Sequence, residues 1–169
     1  MAKISNIRKE RFDFDVSSGA SVPMDHRPAD DSAAPDASET SAGPRYSREI
    51  ILGLSTLIKD INDIYARCQH DNWDGDGATA VSIAAYMHAR QLLRHLPSDL
   101  PLPSAHPDSD GYIELEWHQA GKTFSILIGA RLTLFWAGYY THDKRRSGRE
   151  PFNGTFPTDL TVEIKKVYA

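Results

Sequence analysis

Between Phe14 and Tyr46 there is no Phe, Tyr, Trp, Leu or Ile. Ala, Ser, Asp and Pro dominate this stretch, from Ser17-Ser18-Gly19-Ala20 to Ala42-Gly43-Pro44. Such a composition buries too little apolar surface to offset the entropy of ordering a backbone. The pattern therefore predicts a disordered arm and linker over residues 1–45 and one domain over residues 46–169. Within the arm, residues 4–16 differ. Arg11-Phe12-Asp13-Phe14-Asp15-Val16 alternates apolar and polar side chains as a strand does. That makes Phe12 and Phe14 candidate partner contacts, with the strand adding to a sheet edge of this chain or of another.

The domain opens with the clearest periodicity. Ile50, Leu54, Leu57, Ile61, Ile64 and Cys68 recur at spacings of three and four, and Ile51, Ile58 and Tyr65 widen the stripe. A long amphipathic helix over residues 46–70 follows, with an apolar face broad enough to need a sheet, a helix or a second copy of the chain as cover. A second helix is expected from Ser82 to about Leu96, with Ile83, Tyr86, Ala89, Leu93 and Leu96 inward. Pro97, Pro101 and Pro103 stop it, and residues 97–110 read as a stiff, extended connector.

Three strands come next. Tyr112–His118 alternates Ile113, Leu115 and Trp117 with Glu114, Glu116 and His118. Thr123–Ile128 turns Phe124, Ile126 and Ile128 inward. Leu132–Tyr140 is apolar on both faces, the pattern of a central strand or of one with an exposed sticky face. Residues 141–157 read as a polar loop anchored by Phe152 and Phe156. The segment from Thr158 suits a short helix through Leu160, Ile164 and Val167, although Leu160, Val162 and Ile164 also fit a strand. The expected fold is α+β: two helices, a three-stranded antiparallel meander and a short C-terminal helix.

Composition narrows the function. The formal net charge is −4, so no global basic field draws nucleic acid. Cys68 is the only cysteine, which leaves no intramolecular disulfide and no cysteine-rich zinc site; its helical core position predicts a buried, inert thiol. No secretory pattern or membrane-length apolar run stands out, and a cytoplasmic protein is expected.

Four groups of residues invite a chemical reading. Asn72-Trp73-Asp74-Gly75-Asp76-Gly77 imitates the start of a calcium loop, but the position that should hold a bidentate Glu holds Ile83. A structural loop is the better fit: Gly75 and Gly77 permit left-handed turns, Asp74 and Asp76 cap amides, and Trp73 plugs the core. Asp110, Glu114, Glu116 and His118 place acids and an imidazole on one strand face, as a metal-dependent hydrolase or nuclease needs. The Glu-x-Lys spacing of such nucleases is missing, and a solvated strand face accounts for these residues as well. Lys144, Arg145, Arg146 and Arg149 form the basic patch, a phosphate contact if the chain meets nucleic acid. No Gly-x-Ser-x-Gly elbow or His-x-x-x-His pair occurs.

Trp73-Asp74-Gly75-x-Gly77-Ala78, Leu96-Pro97, Pro103, Pro107-Asp108 and Asp110-Gly111-x-Ile113-x-Leu115-Glu116-Trp117 follow one another in an order that resembles a family of small bacterial proteins. The resemblance spans about Ile50 to Phe156. Position 76 is Asp here, where the family pattern commonly has an aromatic. The resemblance implies an accessory protein made beside a partner, in the manner of antitoxin or phage-defence cassettes. It implies no activity and no cofactor. Together these readings favour a non-catalytic interaction module. Its partner would be a protein, such as one encoded by a neighbouring gene, and would be held through Phe135, Tyr139, Glu114 and Glu116, and through Phe12 and Phe14 of the arm. The broad face of helix 46–70 offers a route to a homo-oligomer.

Overall fold

The structure, a computed structural model, describes residues 47–141 and 144–169. The expectations for the arm, including segment 4–16 with Phe12 and Phe14, lie outside the described residues, as do those for His142 and Asp143.

The first helix, α1, runs Arg48–Cys68. Ser47 caps it, its hydroxyl accepting from the Ile50 amide at 3.4 Å. Leu57, Ile61, Ile64 and Cys68 are buried, while Ile51 and Leu52 near its start stay more than half exposed. The second helix, α2, spans Ile83–Arg94, and Ser82 accepts the Ala85 amide at 3.1 Å. Its buried face is Ala85, Ala89, Leu92 and Leu93. Ile83, expected inward, lies outside at 56% exposure because the helical turn sets it on the side opposite Ala85 and Leu92. Tyr86 instead faces α1, where its ring stacks on Tyr65 at 4.7 Å.

Five strands follow: β1 Ser104–Pro107, β2 Ile113–Gln119, β3 Lys122–Ile128, β4 Thr133–Thr141 and β5 Lys144–Pro151. They pair antiparallel in chain order, β1-β2-β3-β4-β5. The expected three-stranded meander is therefore corrected to a sheet of five. Its two outermost strands come from segments read as connector and loop. β1 is four residues bounded by Pro103 and Pro107, and proline is tolerated at a sheet edge, where a missing N–H breaks no ladder. β5 carries no apolar alternation at all. It pairs along the length of β4, from Thr133↔Pro151 to Tyr139↔Arg145, with a register shift before Thr141↔Lys144. The two-sided apolarity of β4 now has its cause: β4 is an interior strand.

The C-terminal segment is a helix, α3 Thr158–Tyr168, that starts after Pro157 without a side-chain cap. The three described helices lie on one face of the sheet. Ile113, Leu115, Trp117, Phe124, Ile126, Ile128 and Leu134 meet Leu57, Ile61, Leu92, Leu93, Leu160 and Ile164 in one core. Each such side chain contributes about 1.5–3 kcal/mol on burial. The Trp117 indole donates to the Pro101 carbonyl at 2.8 Å and so ties the proline-rich connector to that core. The described residues belong to one compact unit.

Candidate functional site

The Asp/Gly loop is held by its own side chains. Asp74 Oδ1 accepts the amides of Asp76 at 2.9 Å and Ala78 at 3.1 Å, and Asn72 Oδ1 accepts the Gly77 amide at 2.8 Å. The Trp73 indole donates to the Thr79 carbonyl at 3.1 Å. Asn72, Gly75 and Gly77 have φ of 61°, 81° and 91°, the left-handed region that glycine and asparagine tolerate. The amides of Asp76 and Ala78 hold the exposed Asp74 carboxyl below its ordinary value. The carboxylates thus serve the loop's own backbone. The loop also meets the turn before β2: Thr79 donates to the Ser109 carbonyl at 2.7 Å, and Gly111 packs on the Ala80 carbonyl. The two most distinctive sequence motifs form one structural corner.

The acids and imidazole of β2 do not converge. Asp110 is exposed in that turn, its amide donating to Asp108 Oδ1 at 2.9 Å. Glu114 is buried, Glu116 half-buried, and both lie on the sheet face opposite the helices. The exposed His118 Nδ1 is 3.0 Å from Thr123 Oγ1. Among the described residues no three His, Cys, Asp or Glu side chains are grouped to hold a metal ion. An open groove of about 430 Å³ lies between α1 and β1, lined by Asp60, Asp63, Arg67, His106 and neighbours. Its charges are mixed, and Asp63 is already paired with Lys59 at 2.9 Å.

The basic patch divides in two. Arg146 points to the helix side, where its guanidinium donates to Glu163 Oε1 of α3 at 2.5 Å. The same carboxylate accepts Lys166 at 2.7 Å and, through Oε2, the Tyr140 hydroxyl at 2.6 Å. Burial pushes the Glu163 carboxyl up, but Lys166, Tyr140 and Arg146 outweigh it and hold it below the usual range. Burial, and then the bond to Glu163, push the Tyr140 hydroxyl well up. This clamp ties α3 to β4 and β5.

Arg145 and Arg149 point the other way. By register they sit beside Tyr139 and Phe135 on the sheet face opposite the three described helices. The Arg145 guanidinium lies over the Tyr139 ring at 5.6 Å. Arg145, Ser147 and Arg149 are exposed, Tyr139 and Phe135 half-buried. Neither arginine has an acidic partner among the described residues. Sequence reasoning grouped Arg146 with these cations because alternation could not be applied to a segment taken as a loop. It missed Ser147 for the same reason, and Glu163 and Tyr140 because their contact joins elements well separated in sequence.

The phase of the free edge is fixed by one hydrogen bond. Phe152 donates to the Leu132 carbonyl at 3.0 Å, which makes Leu132 and Phe152 a hydrogen-bonded pair. Antiparallel ladders alternate such pairs. Glu150, Gly148 and Arg146 therefore bond to β4, while the N–H and C=O groups of Arg149, Ser147 and Arg145 point away from the sheet.

No family model matches this sequence, and no curated protein or solved structure matches it. Among the described residues no helix is long and apolar enough to cross a membrane.

Proposed function

We propose that this chain is a non-catalytic protein-interaction module, an antitoxin-like or accessory subunit of a bacterial complex, that grips its partner at the β4–β5 rim of the sheet. One observation carries the reading. Arg145 and Arg149 stand exposed beside Tyr139 and Phe135, with no acid to neutralise them among the described residues. Arginine and tyrosine together are what binding hot spots are made of, because each offers a large, adaptable contact with a polar end. The resemblance to small cassette proteins supports the accessory role.

The test starts from the tagged full chain expressed in a bacterium that encodes it. The co-purifying protein is identified by mass spectrometry and the complex rebuilt from purified parts. Arg145→Glu with Arg149→Glu is expected to weaken the rebuilt complex by about 100-fold, in line with interfacial charge reversals, at an unchanged thermal midpoint. Wild-type affinity in that double variant removes the rim from the reading. Calorimetric titration with Mg²⁺ or Mn²⁺ checks the hydrolase alternative. Binding abolished by Glu114→Gln would favour an enzyme.

A further inference from the structure

Resting on that reading, we propose that β5 accepts one extended acidic segment of the partner as a sixth, antiparallel strand. The argument begins with the edge. Arg145, Ser147 and Arg149 each present an N–H and a C=O outward, at the spacing of every second strand residue. Among the described residues, no backbone hydrogen bond outside the β4 ladder reaches residues 144–150. Pro151 supplies a carbonyl but no N–H and so ends the row. The site is an uncapped stretch about five residues long.

Pleating sets the chemistry of the occupant. The residues with outward backbone groups are the ones whose side chains lie on the face opposite the described helices. A strand added there places its paired residues beside Arg145, Ser147 and Arg149. Two acids four residues apart, with a small residue midway, match this edge. Cross-strand opposite charges stabilise such pairs and like charges destabilise them. A second copy of β5 fits poorly: antiparallel self-pairing centred on Ser147 sets Arg145 against the other copy's Arg149. Nucleic acid is also disfavoured. Arg146 is committed to Glu163, which leaves Lys144, Arg145 and Arg149 on a chain of net charge −4. A row of peptide N–H groups at strand spacing suits another strand's carbonyls.

Amide hydrogen exchange of the full chain, followed by NMR at low salt, tests the proposal. The probe is the capped heptapeptide Thr-Glu-Val-Ser-Val-Glu-Thr. Two controls accompany it: the same peptide N-methylated at serine, and one with lysines replacing both glutamates. In the free protein the amides of Arg146, Gly148 and Glu150 are expected to be protected and those of Arg145, Ser147 and Arg149 to exchange freely. Saturating probe is expected to slow the latter three by about tenfold or more, as backbone bonds close over them, and neither control should do so. Ser147→Pro, which removes an outward N–H but no ladder bond, is expected to weaken the rebuilt partner complex by about tenfold, the loss of a single net hydrogen bond.

Unchanged exchange together with wild-type affinity in Ser147→Pro overturns strand addition. So does equal protection by the N-methylated peptide, since charge alone then accounts for binding. Outward amides already protected in a two-chain species would name a second copy as the occupant. Stronger protection by an oligo-dT than by the peptide would name nucleic acid. If Arg145→Glu with Arg149→Glu weakens the partner complex while these tests fail, the rim remains a docking surface and only the added strand falls. If that double variant binds the partner normally, the functional reading falls.

Discussion

Gly111 is where the two most distinctive motifs touch. Its φ is +83°, and a β-carbon there would lie 2.8 Å from the Ala80 carbonyl oxygen. Gly111→Ala combines backbone strain with a clash against main chain and is expected to cost about 2–3 kcal/mol, read as a lower urea midpoint. Ala120 gives the opposite case. With Gly121 it closes the β2–β3 hairpin at φ of 49° and 78°, both in the left-handed region that a type I′ turn demands. Ala120→Asn is expected to stabilise by about 0.5–1 kcal/mol, since asparagine tolerates that region better. Cys68, 1% exposed, has its thiol pushed up by burial. Ellman's reagent should leave it unmodified in the native chain and react promptly once urea unfolds it. Its burial was legible in the sequence, because Cys68 falls on the apolar stripe of a helix. The contact at Gly111 was not, because nothing in two separated loops says that they meet.

At the level of elements, legibility followed apolar periodicity. The three helices and the three central strands each repeat hydrophobic residues at a period that one face of the core enforces. β1 and β5 do not, since an edge strand is half-solvated and takes its shape from its neighbour's ladder. The two-sided apolarity of β4 was an indirect sign that another strand lay beyond it. What holds β5 down includes Gly148, which leaves room for the Trp136 ring, and the Arg146–Glu163 bond. Glu163→Gln keeps the shape but removes the charge that Arg146, Lys166 and Tyr140 share. Both cations are substantially exposed, at 57% and 40%, so water screens part of the effect. The expected loss is about 1–2 kcal/mol, with faster amide exchange in β5 and α3 than elsewhere. The surface pair Lys165–Asp99, more than half exposed on both sides, is expected to contribute little to stability because water screens it. Lys165→Ala then serves as the control.

For the whole molecule, three carboxyls among the described residues contribute to the response to acid. Asp74 is held low by loop amides, Asp99 by Lys165, and Glu163 by Lys166, Tyr140 and Arg146 against the opposing effect of burial. A carboxyl whose folded value lies below its unfolded one stabilises the fold above the unfolded value and loses that contribution as pH falls through the folded one. Stability is therefore expected to hold from about pH 5 to neutrality and to fall below about pH 4. Glu163→Gln should flatten the acid limb in urea titrations. Tyr140 acts on the other side. Its raised value means that its contribution is complete below about pH 10 and declines above it.

The sheet's two ends are unlike. β1 is short, bounded by prolines and packed against by α1, whereas β5 is long and open. Among the described strands, β5 is therefore the edge better suited to extension. If the proposed strand fills β5, the short, proline-bounded β1 is the edge left among the described strands, which predicts a one-to-one complex rather than a fibre.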